Sequence, residues 1–390
     1  MRKVISEGLR VPIKMWLDDI DENALLQAKN LANLPFVFKH VALMPDSHMG
    51  FGMPIGGVIA TRDVIIPNAV GVDIGCGMCA TKTSLNEIDT NVLKKIMSGV
   101  RQLVPLGFKH HKEAQDESLM PSIEHVPENG IVRQEFESAT RQIGTLGGGN
   151  HFIEIQKGSD NHIWIMVHSG SRNIGLKVAE HYNKLAITLN QKWYSCVERK
   201  LDLAFLPLET QEGQDYLLEM QYCIDFAFAS RMLMMERIKS VFADIFGDSF
   251  YTTDFINIAH NYARKENHFG SNVIVHRKGA TSARKGEAGI IPGSQGTKSY
   301  IVRGKGNVES FQSCSHGAGR VMGRRQAMRE LTLEDEIKKL DKKGIVHAIR
   351  GARDLDEAPS AYKNIQEVMR NQEDLVEIVV ELSPLAVIKG

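Results

Sequence analysis

The chain has 390 residues, 43% of them hydrophobic, with 47 basic and 47 acidic side chains that cancel. That is ample for a large core, and a neutral balance excludes any argument about partners from overall charge. Five cysteines in a chain of this length do not form a disulfide framework, no apolar run reaches the ~18 residues of a membrane span, and the N-terminus lacks a signal-peptide core. The expectation is a soluble, cytoplasmic protein in a reducing compartment.

In chain order, residues 22–34 read as a helix with a Leu25, Leu26 and Leu31 stripe and Asp21 as N-cap. Residues 40–44, 55–60, 64–67 and 78–83 are short, β-rich and broken by Gly, Pro and Asn. Among them, Met44-Pro-Asp-Ser-His48 puts Asp46 and His48 in a loop, where turn chemistry is an equal reading. Asn68-Ala-Val-Gly-Val-Asp-Ile-Gly-Cys-Gly77 follows. The apolar residues before Asp73 suggest that it sits at a strand's end, with Cys76 between two glycines. A carboxylate and a thiolate held together in this way are metal-ligand types.

Residues 91–104 suggest a helix, and His110, His111 and His125 read as surface histidines. Gly147–Gly149 let backbone approach a ligand, most simply a phosphate. His151 then opens a strand over residues 151–155, in which Asn150, Phe152 and Glu154 share one face. A second buried strand, from Ile163, runs into His168. Residues 173–250 are mainly helical, with one long helix over 215–246. Met232, Met234 and Met235, together with Cys196 and Cys223, read there as core residues.

Between residues 261 and 330, 13 Lys and Arg stand against 4 Asp and Glu, a local excess of +9. This suggests an anionic ligand, with a solvated basic face as the competing reading. His260 opens this region beside Asn261. A short strand over 272–275 follows, and then a loop whose small hydroxyls, Ser294, Thr297 and Ser299, suit a nucleotide. His316 is expected at the head of a helix over 317–331. There Arg320 and Arg324 would share a face, and the helix N-terminus would seat a phosphate. The bland alternative is a capping histidine on a basic surface helix. A helix over 333–343 and a helix and strand over 374–382 complete the chain.

Seven ordered motifs resemble the RtcB family of GTP-dependent RNA ligases: Met-Pro-Asp-x-His near 44, Gly-Val-Asp-Ile-Gly-Cys-Gly at 71–77, Gly-Asn-His-Phe at 149–152, His-Ser-Gly-Ser-Arg at 168–172, His-Asn-Tyr at 260–262, Ser-His-Gly-Ala-Gly-Arg at 315–320, and the closing Lys-Gly. The resemblance runs over nearly the whole chain. It implies one α/β domain over residues 1–390, with mixed β-sheets surrounded by helices around a dinuclear metal cleft. Asp73, Cys76, His151, His168 and His260 would ligate two Mn²⁺ ions, with Cys76 shared. His316 would be the nucleophile that takes GMP from GTP. Asn150 would contact phosphate. Glu154, Ser294, Ser299, Ala318, Gly319, Tyr362 and Lys389 would contact the nucleotide. Lys278, Arg320 and Arg324 would bind phosphates, and Asp46 would lie near the second metal. The implied partners are GTP and RNA ending in 3′-phosphate or 2′,3′-cyclic phosphate and in 5′-hydroxyl, with an accessory activating protein as a further candidate. Gly148, Ala259 and Gln295 depart from the family's usual residues and bear on substrate preference rather than on the reaction. A competing reading is a metal-dependent phosphodiesterase that opens cyclic phosphates without ligation; it would not need Ser299, Tyr362 and Lys389.

Overall fold

A computed structural model describes residues 1–390. Its fold is mixed α/β, organised around two sheets. The first has six strands in the order Lys3–Ile5, Ile13–Met15, Val37–His48, Ile55–Thr61, Ser271–Lys278 and Asn261–His268. Its one parallel pair, Ile13–Met15 with Val37–His48, is joined through the helix Glu22–Ala32. Asp21 caps that helix, accepting from the Asn23 and Ala24 amides at 2.9 and 3.1 Å.

The second sheet is antiparallel throughout. Its strand order is Thr252–Ala259, Gly77–Thr83, Ile163–Ser169, Phe152–Gly158, Val376–Lys389, Ser299–Gly304 and Ala288–Ile291. Its two edge strands touch, so the sheet curls into a nearly closed barrel. Side chains alternate across it. Met78, Phe152, Trp164, Met166 and Ile301 fill the inside. Cys79, Ile153, Ile155, Ile165 and Val167 face outward onto the helices Thr90–Leu103 and Gln211–Phe246.

His260 is the hinge between the sheets. The strand Thr252–Ala259 ends in the barrel, and Asn261–His268 begins in the other sheet. Strand register brings Ala259 opposite Gly77, Gly77 opposite Ser169, and His168 opposite Phe152. Four chain segments therefore end together at one mouth of the barrel.

Several local expectations are corrected. Residues 67–70 form a helical turn rather than a strand, so Asp73 precedes the strand Gly77–Thr83 instead of ending one. Asp46 and His48 close the strand Val37–His48 instead of lying in a loop. The strand after His151 begins at Phe152. No helix covers 317–331; the helix there is Arg324–Glu330. Gly319 prevents a longer one, because it has φ +74° and a Cβ there would lie 2.3 Å from the Asp46 carbonyl oxygen. The end of the chain is one long strand, Val376–Lys389, rather than helix and strand. Met234, Met235 and Cys223 are core residues, but Met232 and Cys196 are exposed. No helix is long and apolar enough to cross a membrane.

Part of the basic excess in 261–330 is spent internally. Arg277 is fully buried and donates to both oxygens of Glu266 at 2.5 and 3.1 Å. Burial alone would raise the Glu266 carboxyl, but hydrogen bonds and charge from His268 and Arg277 hold it well below the usual carboxylate range. A depressed folded-state value adds stability that is present above the ordinary carboxylate range and is lost as pH falls through it. Arg277→Ala should cost about 3–5 kcal/mol by leaving a buried carboxylate unpaired. Urea midpoints at neutral pH and at acid pH should show the gap between variant and wild type narrowing in acid.

Candidate active site

The turn that carries Asp73 and Cys76 is fixed from below. Arg231, fully buried in the long helix, donates through Nη1 to the carbonyls of Gly75 at 2.9 Å and Ser169 at 2.8 Å. Its Nε donates to Asn257 Oδ1 at 2.8 Å. From the other side, the Gly75 amide donates to the Asn261 carbonyl at 2.8 Å, and the His260 amide donates to the Cys76 carbonyl at 2.8 Å. Asn261 Nδ2 donates to the Asp73 carbonyl at 3.1 Å. The side chains of Asp73, Cys76, His168 and His260 are thus aimed by backbone that cannot drift.

Cys76 Sγ lies 3.4 Å from His151 Nε2 and 3.3 Å from His168 Nε2. His151 Nε2 lies 3.1 Å from Asp73 Oδ2. Two triads result, Asp73/Cys76/His151 and Cys76/His168/His260, each with its ligand atoms within 4.8 Å of one another. Cys76 belongs to both. His168 donates Nδ1–H to the Asn150 carbonyl at 3.0 Å, which leaves its Nε2 lone pair facing the thiol.

The electrostatics fit a cation. Burial first, then His151, pushes the His168 imidazole well below its ordinary range. Burial and the facing His316 do the same to His260. Both are therefore neutral, as ligands must be. Asp73 is held down at about 2, because the His151 hydrogen bond and charge outweigh the effect of burial. Burial and the Asp73 charge push the Cys76 thiol well up. His260 Nδ1 is buried without a hydrogen-bond partner. A metal ion in each triad would stabilise the thiolate, and the donor set of O, N and S atoms suits a borderline divalent ion.

His316 stands at the end of the strand Ser313–Ser315, with its ring centroid 4.8 Å from that of His260. Asp46, fully buried, accepts at one oxygen from the His316 amide at 3.1 Å and from His316 Nδ1 at 2.6 Å. Its carboxylate is therefore engaged with His316. The segment around Asp46 is held by Lys363, whose ammonium donates to the carbonyls of Pro45 at 3.2 Å and Ser47 at 2.7 Å.

Beyond His316 lies a second polar cluster. Glu357 is buried and receives Arg320 Nη1 at 2.8 Å, Arg324 Nε at 2.8 Å and the Tyr362 hydroxyl. Arg324 also lies against the glycine loop, since a Cβ on Gly149 would sit 2.8 Å from Arg324 Nη2. Glu154 is buried inside the barrel mouth and accepts from Gln156 Nε2 at 2.6 Å. Gln156 also donates to Ser299 Oγ at 3.1 Å, and the Gly293 amide donates to that same hydroxyl at 3.1 Å. Ser294 Oγ is 3.0 Å from Thr297 Oγ1, and Gln295 Nε2 donates to the Glu357 carbonyl at 2.9 Å. The buried Lys389 ammonium feels the charges of Glu357, Asp356 and Glu154. Lys278 departs from its expected duty: its ammonium donates to the carbonyls of Phe51 at 2.6 Å and Asn68 at 2.8 Å.

A family model described as "tRNA-splicing ligase RtcB" matches residues 27–132 and 120–390. The chain is 40% identical to "RNA-splicing ligase RtcB" of Escherichia coli strain K12, over 97% of each chain. It is 30% identical to "tRNA-splicing ligase RtcB" of Thermococcus kodakarensis, over 99% of this chain and 96% of that one. The chain belongs to the RtcB family.

In this RtcB-family chain, sequence reasoning missed three residues that organise the site. Arg231, the one guanidinium amid Phe226-Ala-Phe-Ala-Ser-Arg-Met232, was signalled only by a charge in an apolar helical run. Glu357 and Gln156 carried no motif. Because Cys76 is common to both triads, Cys76→Ala should remove bound divalent metal from both. Asp73→Asn should leave the Cys76/His168/His260 triad loaded. Elemental analysis of dialysed protein reads the difference.

Proposed function

We propose that this chain is an RNA ligase. It joins RNA ending in 3′-phosphate or 2′,3′-cyclic phosphate to a 5′-hydroxyl, using GTP and a pair of Mn²⁺ ions held by Asp73, Cys76, His151, His168 and His260. The observation that carries the reading is His316. Asp46 takes its Nδ1 proton in a hydrogen bond of 2.6 Å, which leaves the Nε2 lone pair free next to the metal triads.

In this reading Nε2 attacks the α-phosphorus of GTP in line. An N–P bond forms, the bond to the bridging oxygen breaks, and pyrophosphate leaves. Asp46 stabilises the positive charge that grows on the ring. A cyclic phosphate end is first hydrolysed to the 3′-phosphate. An oxygen of that 3′-phosphate then displaces His316 from GMP, restoring the free imidazole. The 5′-hydroxyl of the second RNA attacks the activated 3′-phosphate, its proton passes to solvent, and GMP departs. Bound divalent cations would neutralise charge on the phosphoryl oxygens during these transfers.

The two polar clusters divide the nucleotide. Glu154, Ser294, Ser299, Ala318, Gly319, Tyr362 and Lys389 take guanine and ribose. Asn150, Arg320 and Arg324 take phosphates, with Glu357 holding both guanidiniums in place. Lys278 is reassigned from phosphate binding to holding the cleft's loops. Gln295, attached to the Glu357 carbonyl, ties the two clusters together.

His316→Ala should abolish the GMP adduct that intact mass spectrometry detects after incubation with GTP and Mn²⁺. Asp46→Asn should form it roughly 10- to 100-fold more slowly, because the imidazole loses its orienting acceptor. A second prediction concerns pH. Burial pushes the Glu154 carboxyl up to about 8, against the opposing effects of Gln156 and Lys389. A raised folded-state value means that this group favours folding less as pH rises from the ordinary carboxylate range to about 8. Accepting the N1–H and amino protons of guanine requires the ionised form. GTP affinity should therefore rise roughly tenfold per pH unit below that value and level off above it. Calorimetric titration with GTP should give a flat profile over the same range in Glu154→Gln.

A further inference from the structure

The turn between the strands Val37–His48 and Ile55–Thr61 is firmly held and yet leaves a large aromatic ring in water. Gln27 grips Gly50 twice, accepting from its amide at 3.1 Å and donating to its carbonyl at 2.6 Å. The Phe51 carbonyl accepts from Lys278 Nζ at 2.6 Å and from the Met53 amide at 2.7 Å. Gly52, at φ +66°, is pressed so closely on the next loop that a Cβ would lie 2.4 Å from the Asp202 carbonyl oxygen. Despite these clamps, the Phe51 side chain is 76% exposed. Met49 on the same turn is exposed as well, so a firmly held turn presents two large apolar side chains to solvent together and neither adds to the core.

Its position says what it contacts. The Lys278 ammonium that grips Phe51 also grips Asn68, at the start of the turn that bears Asp73 and Cys76. On the other side, Gly279 separates the turn from the nucleophile: a Cβ there would meet the Ile55 side chain at 2.3 Å and His316 Cε1 at 3.0 Å. Phe51 is therefore tied through Lys278 to the segment that leads into the Asp73 turn, and Ile55, which ends the Phe51 turn, comes as near to Gly279 as His316 does. The loop beneath Gly52 carries the exposed Arg199, while its neighbour Lys200 is paired with Glu198 at 2.7 Å. An exposed aromatic face beside an exposed guanidinium is an arrangement that holds single-stranded nucleic acid, the ring stacking on a base and the cation facing the backbone.

We propose that Phe51 is the stacking platform for an unpaired terminal base of the RNA that reaches His316. This rests on the RNA-ligase reading above. The rigid turn keeps the ordering cost of the contact low, and a π-face accepts any base, so the platform positions an RNA end without selecting its sequence.

The test uses the full chain and a short single-stranded RNA with a 3′-phosphate and 2-aminopurine as its last base, whose fluorescence falls on stacking. Wild type should quench it on binding. Phe51→Ala should bind roughly tenfold more weakly and lose the quench. Phe51→Tyr should retain both. Phe51→Leu, which keeps apolar bulk without a π-face, should resemble Phe51→Ala. Tyr251→Ala, an exposed aromatic at the far end of the barrel strands, should resemble wild type. GMP loading of His316, measured without RNA, should be unchanged in Phe51→Ala. The proposal is overturned if Phe51→Ala keeps wild-type affinity and quench, if Phe51→Leu matches wild type, or if GMP loading falls as far as RNA binding does. Binding and quench need no turnover. A wild type that stacks the probe through Phe51 but never loads GMP would sink the ligase reading and leave the platform standing.

Discussion

Everything at the barrel mouth depends on one buried guanidinium. Arg231 sits in the apolar interior, where a charge is costly unless it is hydrogen-bonded; Nε and Nη1 are paired, and Nη2 has no partner. Its acceptors are the Gly75 and Ser169 carbonyls and the Asn257 amide oxygen. Those three atoms belong to the Cys76 turn, the end of the His168 strand and the strand that leads to His260. Satisfying Arg231 therefore fixes the spacing of three ligand-bearing segments. The same charge lies near Cys76 and opposes the burial that keeps the thiol protonated.

The second organising device is a pair of buried carboxylates used as clamps. Asp46 selects one tautomer of His316, and Glu357 gathers Arg320, Arg324 and Tyr362. Each is buried, so its hydrogen bonds are little weakened by water. Asp46 is distant in sequence from His316, and Glu357 from Arg320 and Arg324, while Tyr362 is a near neighbour of Glu357. The side chains of the candidate site are thus oriented before any ligand arrives, and binding energy need not be spent on ordering them.

This long-range character explains what the sequence disclosed and what it hid. Asp73, Cys76, His151 and His168, which the structure brings together with His260, stood out because glycines lie close to each of them, a local pattern; His260 was marked only by its place beside Asn261 at the start of the basic region. His316 was expected at the head of a helix over 317–331, but Gly319, at φ +74°, packs tightly on the Asp46 carbonyl and the helix begins only at Arg324. The long helix and the strands around Gly77–Thr83, Phe152–Gly158 and Ile163–Ser169 were visible locally, whereas Asn261–His268, Ala288–Ile291 and Ser299–Gly304 were not. The curling of seven antiparallel strands into a barrel, with contacts from residue 77 to residue 389, was not, because strand pairing leaves no local trace. Glu357 and Arg231 were invisible for the same reason: their meaning lies entirely in partners that the fold supplies. Lys278 is given a phosphate only by the family resemblance; in the structure burial lowers its ammonium to about 7 and the Phe51 and Asn68 carbonyls hold it.

The position of His316 between two different rims bears on how one histidine can serve two phosphoryl transfers. On one side stand the Glu357 cluster and the Glu154, Gln156 and Ser299 hydroxyl–carboxylate group. On the other stand the metal triads and the turn of Phe51. In the proposed reaction the nucleotide stays in its own site while the RNA 3′-phosphate enters opposite the Nε2–phosphorus bond, so GMP passes from histidine to RNA without moving between sites. Such a layout asks for rigidity rather than closure, and the clamps on both rims supply it. Gln27 and Lys278 hold one, Glu357 holds the other, and Arg231 fixes the floor between them.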